Sequence, residues 1–153
     1  HALPTKAIVT IQARVPNAIT AGIVFGMINS TGATYYSAGV GSLDDGAPVS
    51  EDSVFEIGSI TKVFTSLVLA EMVERGEVAL NDPVEKYLPS TVKVPQRKGK
   101  QITLYDLSTH RSGLPRMPSN FSTNGPDDPY AVYSEEQLYT FLSSYELTRD
   151  IGA

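Results

Sequence analysis

The chain has 153 residues and no cysteine, which is enough for one domain with a core and excludes a disulfide framework. Apolar residues at 41% and charged residues at 19% are ordinary for a globular chain, and a formal net charge of -5 argues against nucleic-acid binding as a main role. No apolar run reaches the length of a transmembrane helix.

In chain order, Pro4 to Val15 carries Ala7, Ile8, Ile11 and Val15 at helical spacing, which predicts a short amphipathic helix ended by Pro16-Asn17. Gly22 to Asn29 (GIVFGMIN) predicts a buried strand from its Ile, Val and Phe content. Ser30-Thr31-Gly32 is a turn and Ala33 to Ala38 the returning strand of a hairpin. Asn29-Ser30-Thr31 and Asn120-Phe121-Ser122 fit the N-glycosylation pattern, but chance matches are common and neither is assigned a role. Gly39 to Asp52, rich in Gly, Asp and Ser, is a loop leading to the next helix.

Phe55 to Arg75 (FEIGSITKVFTSLVLAEMVER) is the most distinctive stretch. Gly58 gives a tight entry, and Ile60, Val63, Phe64, Leu67, Val68 and Met72 recur at helical spacing. Apolar residues on most sides predict a buried helix, closed by Gly76. Ser59 and Lys62, three residues apart, fall on one face, so the hydroxyl and the amine can meet. A serine hydroxyl becomes a good nucleophile when a neighbour takes its proton, and lysine does this when partly neutral. Burial and the positive helix end both disfavour the ammonium form. The same helix end places the Ser59 backbone N–H for an oxyanion. The bland alternative is a capping serine beside a snorkelling lysine, because Ser-x-x-Lys alone is common.

Asp82-Pro83-Val84-Glu85 predicts a helix start, with Asp82 as N-cap, Pro83 at the first position and Glu85 closing a capping box; the helix ends near Leu88-Pro89. Lys93, Arg97, Lys98 and Lys100 form a basic loop, read as a solvated surface in preference to a docking patch for an anionic polymer. Thr103 caps another short helix, which leads into Thr109-His110. Pro115 to Pro129 is a long irregular stretch, read as the rim of a cleft. Ser134-Glu135-Glu136-Gln137 caps a last helix running to about Tyr145, itself a helix-end packing residue.

Phe55 to Thr65 (FEIGSITKVFT) closely resembles the active-serine segment of the penicillin-recognising serine hydrolases, a superfamily of class C β-lactamases, D-Ala-D-Ala carboxypeptidases and related esterases. Leu107 to Pro115 (LSTHRSGLP) looks like the L-x-T-H-x-S-G-L signature of that family, and Gly76 to Val84 is similar to the link after its serine helix. The resemblance implies an α/β (α+β), β-lactamase/transpeptidase-like fold: an antiparallel sheet with helices plus a mostly helical subdomain. It implies Ser59 as nucleophile and oxyanion donor, Lys62 as general base, and His110 as a support of its loop. Neither cofactor nor metal is implied. The partner is a small-molecule or peptide substrate, in the periplasm or outside the cell, with a D-Ala-D-Ala-type peptide first, a β-lactam second and a small ester third. A non-catalytic relative that retains the nucleophile is the reading from a different class.

Two features of that family have no match. No Tyr-x-Asn follows the last helix, since Tyr130, Tyr139 and Tyr145 lack the asparagine, and the third motif of the cleft strand is absent. Arg116-Met117-Pro118 also stands where class C β-lactamases carry a rim amide, which favours a peptidase- or esterase-like member. The expectation is therefore the N-terminal portion of a larger hydrolase: residues 1–58 form the helix and hairpin of the sheet domain, and residues 59–153 the serine helix and an incomplete helical subdomain. Alone it is expected to be inactive, with the C-terminal remainder of the same precursor as a candidate second chain.

Overall fold

The computed structural model describes residues 5–15, 21–44, 46–123 and 128–153. The expected ending of the first helix at Pro16-Asn17 and part of the irregular Pro115 to Pro129 stretch lie outside them. The chain divides into two compact units, His1–Gly58 and Ser59–Ala153.

In the first unit, helix α1 (Thr5–Arg14) lies against the second strand of a hairpin and buries Ile11. Strands β1 (Gly22–Asn29) and β2 (Gly32–Gly39) pair antiparallel, from Gly22 opposite Gly39 to Asn29 opposite Gly32. Ser30 and Thr31 form the two-residue turn, where the Asn29 Oδ1 accepts from both the N–H and the hydroxyl of Thr31. Gly39 is required at its position: its φ is +85°, and a Cβ there would stand 2.1 Å from the Ala21 carbonyl oxygen. The expectation that β1 is buried is corrected. Gly22 to Phe25 are half-buried, and beyond them exposed and half-buried positions alternate, with Ile28 exposed. Among the described residues the sheet has two strands, and a lone hairpin cannot cover both of its faces.

The core of the second unit gathers Val94, Ile102, Leu147 and Ile151, with Val84, Leu88, Leu114 and Tyr145 packed on it. Three backbone bonds knit Ile102 and the first residues of α3 (Leu104–Ser108) to the link that follows the serine helix: Val84 N–H to the Ile102 carbonyl, Leu104 N–H to the Asp82 carbonyl, and Tyr105 N–H to the Leu80 carbonyl. Helix α4 (Glu135–Ser144) buries Phe141, whose ring lies 5.0 Å from that of Tyr145 at the helix end. Both α3 and α4 begin with reciprocal capping boxes, Thr103 with Asp106 and Ser134 with Gln137.

Three expectations for this unit change. Helix α2 (Thr61–Glu74) has no buried residue, and Val63, Phe64, Leu67 and Val68 are more than half exposed. Its apolar character is as read, but within the described residues those side chains are left uncovered. Asp82 is not an N-cap: Val84–Tyr87 is a 3-10 turn preceded by Pro83 with no side-chain cap. The Asp82 carboxylate instead accepts from the Tyr87 hydroxyl, the Lys86 ammonium and the Ala79 N–H, because the extended Pro83 carries it away from the turn. Nor is the basic loop simply solvated. Arg97 and Lys98 converge on Asp150 at 2.8 and 2.6 Å and hold its carboxyl below the usual carboxylate range.

Candidate active site

Gly58, at φ +52°, opens a 3-10 turn over Gly58–Ile60 that runs directly into α2. A positive φ is cheap only for glycine, so this residue lets the chain turn sharply into the helix. Ser59 sits inside the 3-10 turn and Lys62 is the second residue of α2. The Lys62 Nζ donates to the Ser59 Oγ at 3.0 Å, so the two side chains meet at the helix entry. Both are exposed. The burial invoked in the sequence reading to keep the amine neutral is therefore absent at Lys62, for the same reason that α2 is uncovered.

The C-terminal end of the helix is closed as read. Gly76 N–H bonds the Val73 carbonyl and Glu77 N–H the Met72 carbonyl, with Gly76 at φ +73°, the Schellman pattern. The Ser66 and Ser108 hydroxyls meet at 3.0 Å and link α2 to α3. Sequence reasoning missed this pair. Its one available signal was that Ser66 lies four residues after Lys62, on the same helical face.

The Thr109 to Leu114 segment is held by backbone contacts. Thr109 N–H and hydroxyl both bond the Tyr105 carbonyl, Arg111 N–H bonds Asp106, and Arg149 donates to the Leu114 carbonyl at 2.9 Å. His110 adopts φ +59° and is exposed, and among the described residues its ring makes no hydrogen bond. Gly113 has φ +81°, and a Cβ would stand 2.9 Å from the Arg149 carbonyl oxygen. An open depression of about 420 Å³ is lined by His110, Gly113, Arg149, Asp150 and Ala153; neither Ser59 nor Lys62 lines it. Arg116 is exposed.

Residues 10–153 match the beta-lactamase family. The chain is 38% identical over 102 residues to the D-alanyl-D-alanine-carboxypeptidase/endopeptidase AmpH of Escherichia coli (strain K12), covering 67% of this chain and 26% of that protein. It is 33% identical over 93 residues to a beta-lactamase of Pseudomonas fluorescens, covering 61% of this chain and 25% of that protein. The solved beta-lactamase/D-alanine carboxypeptidase from Yersinia pestis superposes with a TM-score of 0.71 at 26% identity, over 96% of this chain and 44% of that one. The chain thus spans about a quarter of the length of these curated relatives. Its fold is a part of the β-lactamase/transpeptidase fold, an antiparallel sheet with helices. Among the described residues no helix is long and apolar enough to cross a membrane.

Proposed function

The chain belongs to the beta-lactamase family, and from that premise we propose that it carries the nucleophile of a serine hydrolase working by acyl transfer. The observation that carries this reading is the 3.0 Å contact between the Lys62 Nζ and the Ser59 Oγ. The distance suits proton transfer. With Lys62 neutral, its Nζ takes the Ser59 proton as Oγ attacks a carbonyl carbon. The tetrahedral oxyanion accepts a hydrogen bond from the Ser59 backbone N–H. Collapse expels the amine or alcohol, which takes the proton held by Lys62, and leaves an ester on Ser59, which water then cleaves. No metal or cofactor enters these steps.

A peptide ending in D-Ala-D-Ala is the first substrate class, supported by the likeness to AmpH and by Arg116 in place of a rim amide. A β-lactam is the second, supported by the likeness to the Pseudomonas fluorescens beta-lactamase. The expected place of action is the periplasm or outside the cell, as an inference from the bacterial relatives. The test gives the chain a penicillin, a D-Ala-D-Ala peptide and an activated ester, and follows intact mass. An acyl adduct on Ser59 from any of the three supports the reading. An absence of adduct from all three, repeated on a polypeptide of its relatives' length, would leave a binding relative that retains the serine without its chemistry.

A further inference from the structure

We propose that the Ser66–Ser108 hydroxyl pair is a positioning device for Ser59 and Lys62, resting on the reading of those two as the reactive pair. Ser59, Lys62 and Ser66 follow one another three and four residues apart, so they share one face of the helix. From Ser59 to Val68, Ser66 is the one half-buried residue; every other is exposed, the large apolar ones included. Half-buried positions return at Leu69, Met72 and Val73, in the later half of α2. The reactive half of the helix therefore gains little from apolar packing, and the 3.0 Å contact between the Ser66 and Ser108 hydroxyls ties it to α3.

The other side of the contact is well fixed. Ser108 ends α3, whose start is closed by the Thr103–Asp106 capping box. Leu104 and Tyr105 N–H bond the carbonyls of Asp82 and Leu80, and neighbouring Ile102 is 1% exposed in the core. Each hydroxyl can donate and accept, so the pair bonds whichever proton is shared. Without it the first turns of α2 keep only bonds internal to the turn and helix: the backbone ladder, the Lys62–Ser59 contact and the Thr65 hydroxyl to the Thr61 carbonyl. Local opening is cheapest in such a segment, and opening parts Ser59, in the 3-10 turn, from Lys62 in the helix.

The experiment uses the full chain with Ser66→Ala, Ser108→Ala, the double variant and Ser66→Thr, and a fluorophosphonate probe. Three readouts are taken: the labelling rate at Ser59, amide exchange over residues 61–68 against 69–74, and Tm. One neutral hydrogen bond predicts a labelling rate lower by roughly 2- to 10-fold in either single variant, with faster exchange confined to 61–68. The double variant should match the singles, since both remove one bond, and Ser66→Thr should restore the rate. Unchanged labelling and exchange in both single variants would overturn the proposal, as would single effects that simply multiply in the double variant. A fall in Tm with labelling and exchange over 61–68 intact would reduce the pair to general stability and also overturn it. If the unmodified chain is not labelled at Ser59, the nucleophile reading falls separately, and the exchange rates alone decide whether the pair holds the helix entry.

Discussion

At the scale of single residues, the serine–lysine contact separates two roles for Lys62. Guanidinium is not deprotonated in proteins, so an arginine can hold charge but cannot accept a proton. Lys62→Arg is expected to lower the rate of Ser59 acylation nearly as far as Lys62→Ala, and stopped-time labelling of the two variants checks it. Substantial acylation in the arginine variant would make Lys62 a charge holder. Asp82 gives a second test. The Tyr87 hydroxyl, the Lys86 ammonium and the Ala79 N–H lower its pKa from 3.8 to about 2. A depressed carboxylate contributes stability that is complete above its unfolded pKa and is lost as pH falls through the folded one. That loss should thus fall between about pH 4 and pH 2, and an acid titration of Asp82→Asn should lack it. Asp82 is half-buried but its Lys86 partner is exposed, so the effect is small and shrinks with salt.

At the scale of elements, the local signals were legible because their causes are local. The Thr103 and Ser134 capping boxes, the Gly76 stop and the hairpin around Ser30-Thr31 depend on neighbours a few residues away, and each forms where its residues stand. Thr103→Ala should cost about 1 kcal/mol, read as a lower midpoint in urea without a change of slope. Asp82 misled because two uses of one carboxylate compete: an aspartate before a proline reads as a cap, but the extended Pro83 turns it toward Ala79 and Tyr87. Helix α2 misled for a different reason. Its composition records that it requires cover; which surface provides the cover is a long-range property that no window of sequence contains.

At the scale of the whole molecule, the serine-bearing helix is not where the second unit is most tightly packed. Ile102, Val94, Leu147 and Ile151 make that core. Truncation at Ile102, 1% exposed, is expected to cost about 2–5 kcal/mol by circular dichroism in denaturant, far more than any single truncation on α2. The Ser59–Lys62 contact was legible from Ser59-Ile60-Thr61-Lys62, whereas the Ser66–Ser108 bond joins positions 42 residues apart and was not. Among the described residues no other side chain is hydrogen-bonded to the Ser59–Lys62 pair, so no second group is in place to protonate a departing amine. General acid–base help of that kind is worth about 10²–10⁴-fold. Turnover of a chromogenic lactam or ester by the 153-residue chain is expected to fall below that of a polypeptide of its relatives' length by about that factor. Fluoride departs without a proton, so a fluorophosphonate probes the nucleophile without this requirement. The most direct measurement is the mass and position of the fluorophosphonate adduct on the chain and on Ser59→Ala. One adduct on Ser59, absent from the variant, is the predicted result; an adduct retained in full by Ser59→Ala would contradict the assignment of Ser59 as nucleophile.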